Sequence, residues 1–545
     1  MASNKLVSRK AINITILLTV IILVSSFVKI TTNTEFSSIT YEYFVDNNGD
    51  ATVKILIKIP LKEGASWIYV PNNISWSLKV IQGEIVKSTE VPTDYLFYNN
   101  YSYHFLGPLK LKIEYFFTYA SLIGRDKALF FSPLVYFDGK LQCTVKVYLP
   151  PTAVLLETDP GIYLKESTSS HLIIQFSPIR GATRIKILYR TKETKLTEIR
   201  KNLGIYDGKQ ITVTILTHPR YKSIAQRIVE TYKQAYPLLR KVFHADLRNI
   251  TIWFKVPTIA EIGVMGYVPL KAKKLGDIYL NILWIRTKRG FFEQIALHEL
   301  THHFLWRAGV NPYSLLWFHE GCADYFSVKI CLENLKLNGA YSRHKLLLDI
   351  IEDYFRKYGK NIGFIQHWTV WSKPKNIQLY YAASYYIVLT LGIKYGNLTY
   401  YSRVFKKIRE AGGVDSNNEL IEFLSEAAES DLSEMFLEWG FYIIKSKASF
   451  SKVLKIIGVY DLISEVSNPF TDILVRRSQK EFSGGNIVQA LYYTLLALIA
   501  EYPASIIISA IIIIVAITLT RKVGDEDASQ ESKGAENHRA LHKIN

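Results

Sequence analysis

The stretch FFEQIALHELTHHFLW (residues 291–306), followed by WFHEGCADYF (residues 317–326), decides how this chain reads. On a helix, positions i and i+4 differ by about 40° around the axis and about 6 Å along it, so His298 and His302 aim at one point. Two ligands of one tetrahedral zinc ion need that placement. Glu299 stands on the adjacent flank, where it takes a proton from a water beside such a metal. Two unrelated surface histidines would give the same spacing. The flanks argue against them: apolar residues on both sides predict a buried helix, in which unpaired imidazoles cost free energy. Glu320, near the start of a second helix, offers a third ligand. His303 lies about 100° off the His298–His302 line and reads as packing. His319 either competes as a ligand or lines the pocket.

The two motifs together resemble the gluzincin zinc metallopeptidases, nearest the thermolysin-like and aminopeptidase N type catalytic domains. Trp317, Glu320, Gly321, Ala323 and Tyr325 match that group's W-x-x-E-G-x-A-x-Y-like stretch, and the resemblance covers residues 209–444. It implies one zinc ion per chain, bound by His298, His302 and Glu320, with Glu299 as general base. It also implies a tyrosine that donates to the developing oxyanion. In LYYAASYYIVLTLGIKYG (residues 379–396), Tyr381 is the best match, with Ser384 where the family has Gly and Tyr380 in reserve. One departure matters. Aminopeptidases of this group use G-x-M-E-N, whose Glu holds the free amino group of the substrate. Here the segment is GVMGY (residues 263–267), with Gly266 in the acid's place and Glu261 the one nearby residue able to compensate.

Outward from this centre, 545 residues at about 100–200 per domain imply several units. A composition 49% hydrophobic and 21% charged excludes a disordered or collagen-like chain. Residues 38–192 alternate with period two, as in ATVKILIKI (51–59), and predict an antiparallel β domain. After residue 194 strands and helices mix, with QITVTIL (210–216) and NITIWF (249–254) as strands and residues 224–243 as an amphipathic helix. GDIYLNILWI (276–285) is expected to form the sheet edge that lines the cleft. Helical periods then dominate to about residue 444.

Two apolar runs, residues 12–28 and 504–520, have the length of a bilayer-spanning helix. The first reads either as a retained anchor or as a removed signal peptide. Flanking Lys5, Arg9 and Lys10 at one end and Arg521 and Lys522 at the other place both termini in the cytoplasm unless the first segment is removed, and the catalytic part outside the cell. Asn-x-Ser/Thr acceptors at Asn73, Asn100, Asn249 and Asn397 fit that placement. Cys322 and Cys331, nine residues apart, face opposite ways on a helix and cannot pair there; with Cys143 they read as buried apolar fillers. The net charge of +18 comes without a Lys/Arg run suited to a nucleic-acid groove, so no nucleic-acid partner is expected.

The resulting expectation is an α+β chain: an N-terminal antiparallel β domain, then a zincin-like catalytic domain with a mixed sheet followed by a helical subdomain, flanked by terminal transmembrane helices. Its divisions are residues 1–30 (n-region and signal-anchor or signal peptide), 31–193 (β domain), 194–445 (catalytic domain), 446–501 (stalk and interfacial helix), 502–520 (transmembrane helix) and 521–545 (polar tail). The expected partners are a peptide or protein substrate and the lipid bilayer. The expected function is a cell-surface zinc endopeptidase; its rivals are a non-catalytic surface protein on the same fold and a zinc hydrolase of a non-peptide amide or ester.

Overall fold

The computed structural model describes residues 36–443 (except 96, 248 and 272–273), 469–483 and 487–501. Strands β1 (Ser38–Val45), β2 (Ala51–Ile59), β3 (Glu63–Pro71), β4 (Trp76–Pro92), β5 (Tyr98–Phe117), β6 (Ser121–Ile123), β7 (Lys127–Phe131), β8 (Gln142–Leu149), β9 (Val154–Asp159), β10 (Leu164–Ser167), β11 (Leu172–Ile179) and β12 (Lys186–Arg190) build the first part. Alternation drives it: in β2, Ala51, Val53, Ile55, Ile57 and Ile59 are buried while Thr52 and Lys58 are exposed. The order β10-β11-β8-β1-β2-β5-β3, with β4 joined to β5, makes one sheet, and β6-β7-β12-β9 makes a second. Residues of both, such as Ile57, Val145, Phe130 and Ile187, share one core. The antiparallel expectation is corrected at one place: β1 and β8 pair in parallel, from Ser38 opposite Gln142 to Phe44 opposite Tyr148. Period-two alternation is identical in the two orientations, and no short hairpin joins these strands to fix one.

The next sheet has the order β13-β14-β15-β19-β16, from β13 (Thr197–Tyr206), β14 (Lys209–Thr217), β15 (Asn249–Lys255), β16 (Gly266–Tyr267) and β19 (Ile278–Asn281); β17 (Leu270–Lys271) and β18 (Lys274–Leu275) form a small separate ribbon. β14, β15 and β19 run parallel, which requires a crossover between β14 and β15. Helix α1 (Lys222–Phe243) supplies it, burying Ile224, Ile228, Tyr232, Ala235, Leu239 and Val242 at helical spacing. The expected cleft edge is also corrected. β19 ends at Asn281, whose side chain accepts a hydrogen bond from the Leu283 backbone N–H (2.9 Å) and starts a 3₁₀ turn over Ile282–Arg286. The outer strand is instead β16, antiparallel to β19 through Gly266 opposite Leu280 and Tyr267 opposite Tyr279.

Helices follow: α2 (Phe291–Ala308), α3 (Leu316–Lys329), α4 (Tyr341–Tyr358), α5 (Ile377–Tyr395), α6 (Asn397–Glu410), α7 (Asn417–Ala428), α8 (Ser433–Glu438), α9 (Pro469–Ser483) and α10 (Ile487–Glu501). As its flanks predict, α2 is buried along most of its length. It is tied to α1 by the Tyr232 hydroxyl, which donates to the Ala296 carbonyl (2.7 Å). α9 and α10 pack together, with Ser478 and Thr494 sharing a hydrogen bond. Cys143, Cys322 and Cys331 are free and buried.

The expectation of terminal transmembrane helices, and with it the cell-membrane localisation with cytoplasmic termini, is corrected. Among the described residues no helix is long and apolar enough to cross a membrane. The apolar α10 has 15 residues, a reach of about 22 Å against a hydrocarbon core of about 30 Å. The runs at 12–28 and 504–520 lie outside the described residues. The architecture is a mixed α/β one of several sheets and a helical cluster.

Close approach of α3 and α5 rests on Gly321. A Cβ there would lie 2.6 Å from the Ser384 carbonyl oxygen, a backbone atom that cannot swing aside. Gly321→Ala should therefore lower stability by about 1–3 kcal/mol, read as a lower denaturation midpoint at unchanged slope. An unchanged midpoint would mean the two helices are not packed this closely.

Candidate active site

α2 presents His298 and His302 from successive turns, and α3, crossing it, presents Glu320. The His298 and His302 Nε2 atoms are 3.1 Å apart. Glu320 Oε2 is 3.2 Å from His298 Nε2 and 3.5 Å from His302 Nε2. Donors about 2.1 Å from a tetrahedral ion stand about 3.4 Å from one another, so these three atoms form one face of such a site. They are also the one group of three or more His, Cys, Asp or Glu side chains among the described residues that converges as a metal site would. The donor set, two imidazoles and a carboxylate, suits zinc with an open position.

The electrostatics point the same way. Burial works against the Glu320 carboxylate, but His302 and His298 hold it well below the ordinary range. Burial opposes a charged His298, yet Asp324 and Glu320 outweigh it and push the imidazole up to about 10. Burial, eased by His298 and His302, pushes the Glu299 carboxyl up to about 7.

Behind the ligands is a brace that the motif alone did not disclose. Asp324, one helical turn beyond Glu320 on α3, lies 3.1 Å from His298 Nδ1 through its Oδ1. Arg343 on α4 grips the same carboxylate twice, through Nε (3.0 Å) and Nη2 (2.7 Å). Carboxylates so placed orient a ligating imidazole and fix its tautomer. The i+4 spacing from Glu320 to Asp324 was readable; the arrival of Arg343 from another helix was not. His302 is backed differently, by His319 Nδ1 at 2.8 Å from its own Nδ1. His319 thus lines the cleft from behind His302 and stands outside the three converging donors. Burial and the neighbouring His302 hold it well below the usual histidine range. His303 is apart from the cluster, its imidazole lowered to about 4 by burial and by His302.

A cleft of about 190 Å³ opens in front of the donors, bounded by Gly266, Tyr267, Glu299, His319, Glu320 and Tyr381 among others. Tyr381 faces it from α5, with the Arg343 guanidinium 5.3 Å from its ring. Burial, then Glu320, raises its phenol well above the ordinary value, so it stays protonated. Tyr380 does not line the cleft and packs against Phe364, while the Trp368 ring touches both tyrosines. Gly266 abuts Glu299: a Cβ at 266 would come 2.7 Å from Glu299 Oε1.

No protein-family model matches the chain, and no curated protein matches it. Among solved structures, aminopeptidase A of Legionella pneumophila in complex with aspartic acid is similar over 74% of this chain and 48% of its own length, at 13% identity and a TM-score of 0.33. An aminopeptidase N family protein of Idiomarina loihiensis is similar over 77% of this chain and 78% of its own, at 13% identity and a TM-score of 0.34. This chain spans about half the length of the first. Both neighbours are described as aminopeptidases, but likeness this slight carries no argument about the activity of this chain.

Asp324→Asn should weaken zinc binding by about 10–100-fold, because the imidazole loses its anionic partner. Competition against a chromogenic chelator measures it; an unchanged affinity would remove Asp324 from the site.

Proposed function

We propose that this chain is a zinc-dependent metallopeptidase that cleaves internal peptide bonds. The observation carrying the proposal is the convergence of His298, His302 and Glu320 on one point, with Glu299 and Tyr381 facing the same cleft. Zinc held by those three side chains would supply Lewis acidity toward the scissile carbonyl and lower the pKa of a bound water. The rest is work for the protein. Glu299, with a carboxyl near neutrality, accepts the proton of the attacking water and returns it to the leaving nitrogen. The Tyr381 hydroxyl donates to the carbonyl oxygen as negative charge grows on it. β16 is paired on one side by β19, and its residues Gly266 and Tyr267 line the cleft. An extended peptide backbone would add there as the next strand.

Internal cleavage follows from what the cleft lacks. Its lining carries two carboxylates, Glu299 and Glu320, both committed to the chemistry. Position 266 is a glycine and supplies no acid, and a side chain there would have to displace the Glu299 carboxylate, 2.7 Å from its Cβ. Glu261 is engaged by Lys255 Nζ (2.8 Å) and by Thr258, and those bonds hold its carboxyl below the usual range. A cationic N-terminus entering the cleft would find no free carboxylate among the described residues. A blocked peptide loses nothing.

Glu299→Gln should keep its zinc and lose hydrolysis by about 10²–10⁴-fold, and Tyr381→Phe should lose about 10²–10³-fold in kcat. Mass spectrometry of digests of N-acetylated, C-amidated peptides should show internal cuts. Stepwise release of single residues from free N-termini, with acetylated peptides refused, would overturn the endopeptidase reading.

A further inference from the structure

A second cavity, at about 530 Å³ larger than the cleft, lies where the N-terminal sheets meet the 3₁₀ turn after β19. Its walls are mainly apolar and rich in rings, with Tyr98, Phe117, Phe131 and Trp284 among them. Two guanidiniums, Arg184 and Arg286, line it, and no acidic residue does. Among the described residues neither arginine is within ion-pair distance of a carboxylate. Arg286 donates from Nη1 to the Phe131 carbonyl (2.8 Å), and its guanidinium stands 4.6 Å from the Phe117 ring. Arg184 donates from Nη1 to the Tyr98 hydroxyl and the Ser132 carbonyl (both 3.3 Å). A guanidinium has five N–H donors, and among the described residues most of those on both arginines have no bonded acceptor. Burial, together with Arg184 alongside, pulls Arg286 down to about 10. Two like charges partly withdrawn from water, with no counter-charge among the described residues, are costly unless an anion joins them.

We propose that this cavity is a binding site for an organic carboxylate carried on an apolar or aromatic group. The planar forks of Arg184 and Arg286 suit a carboxylate. The volume and the aromatic walls exceed what an inorganic anion would use and suit an attached ring or aliphatic side chain. The C-terminal residue of a peptide and a free aryl acid share this chemistry. The site does not depend on the proposed peptidase activity. Ile262 and Gly263 on its rim do, however, lead within a few residues to Gly266 and Tyr267 of the cleft.

Isothermal titration of the full chain tests it, with N-acetyl-phenylalanine, its C-terminal amide, phenylacetate and inorganic phosphate as probes. The acids should bind, with the amide and phosphate at least tenfold weaker. Arg184→Gln should weaken the acids at least tenfold, whereas His302→Ala, which disables the metal centre, should leave them unchanged. Tighter binding of N-acetyl-phenylalanine than of phenylacetate would assign the site to peptide C-termini, and the reverse to small aryl acids. Equal binding of acid and amide, no binding of either acid, phosphate as tight as the acids, or loss in His302→Ala but not in Arg184→Gln would each overturn the proposal. The acid–amide comparison is made on the unaltered chain, so it holds even if the arginine variants fold poorly.

Discussion

Glu320 is a largely buried carboxylate whose ion-pair partners among the described residues are two imidazoles. Burying such a charge is affordable only if positive charge comes to it, from protonated histidines or from a metal ion. The surrounding architecture follows from that demand. α2 must present two imidazoles from one face, so it is a long buried helix rather than a surface one. α3 must cross close to it, and α5 must come close to α3 to carry Tyr381 to the same cleft, which is why a glycine occupies position 321. Asp324, itself buried, would repeat the problem one turn on; Arg343 neutralises it with two hydrogen bonds and supports the Tyr381 ring as well.

The centre was legible because helical geometry alone fixes the relation of His298, Glu299 and His302. Glu320 was legible through the motif around it. The brace was less so: Asp324 follows Glu320 by a turn, but Arg343 arrives from a separate helix whose angle of approach no local pattern encodes. Tyr380 and Tyr381 differ by about 100° on α5, and the positions of Phe364 and of the cleft tell which one faces the metal donors. For the sheets, alternation located the strands of the first part but is blind to orientation, so the parallel β1–β8 pair was missed. β16 is two residues long and contains a glycine, too little for any periodic signal. The strand expected in its place stops at Asn281, whose capping side chain was a readable warning.

The segment from Ile262 to Tyr267 links the two cavities. One end lines the aromatic cavity with its two arginines, and the other forms the cleft edge against Glu299. Trp284 and Asn281 both reach the Val264 carbonyl between them. A short irregular stretch thus serves a hydrogen-bonding edge and a charged apolar pocket at once. The same stretch is where the chain departs from the aminopeptidase pattern, so under the proposed function its local shape would bear on both which substrates enter and how they are held.

The central claim is that His298, His302 and Glu320 hold one zinc ion. Crystals of the full chain grown with zinc, with anomalous data collected on both sides of the zinc edge, test it most directly. The account requires one strong anomalous peak at about 2.0–2.2 Å from the Nε2 atoms of both histidines and from a Glu320 carboxylate oxygen. A peak elsewhere, or none at that point in a zinc-replete crystal, would contradict it.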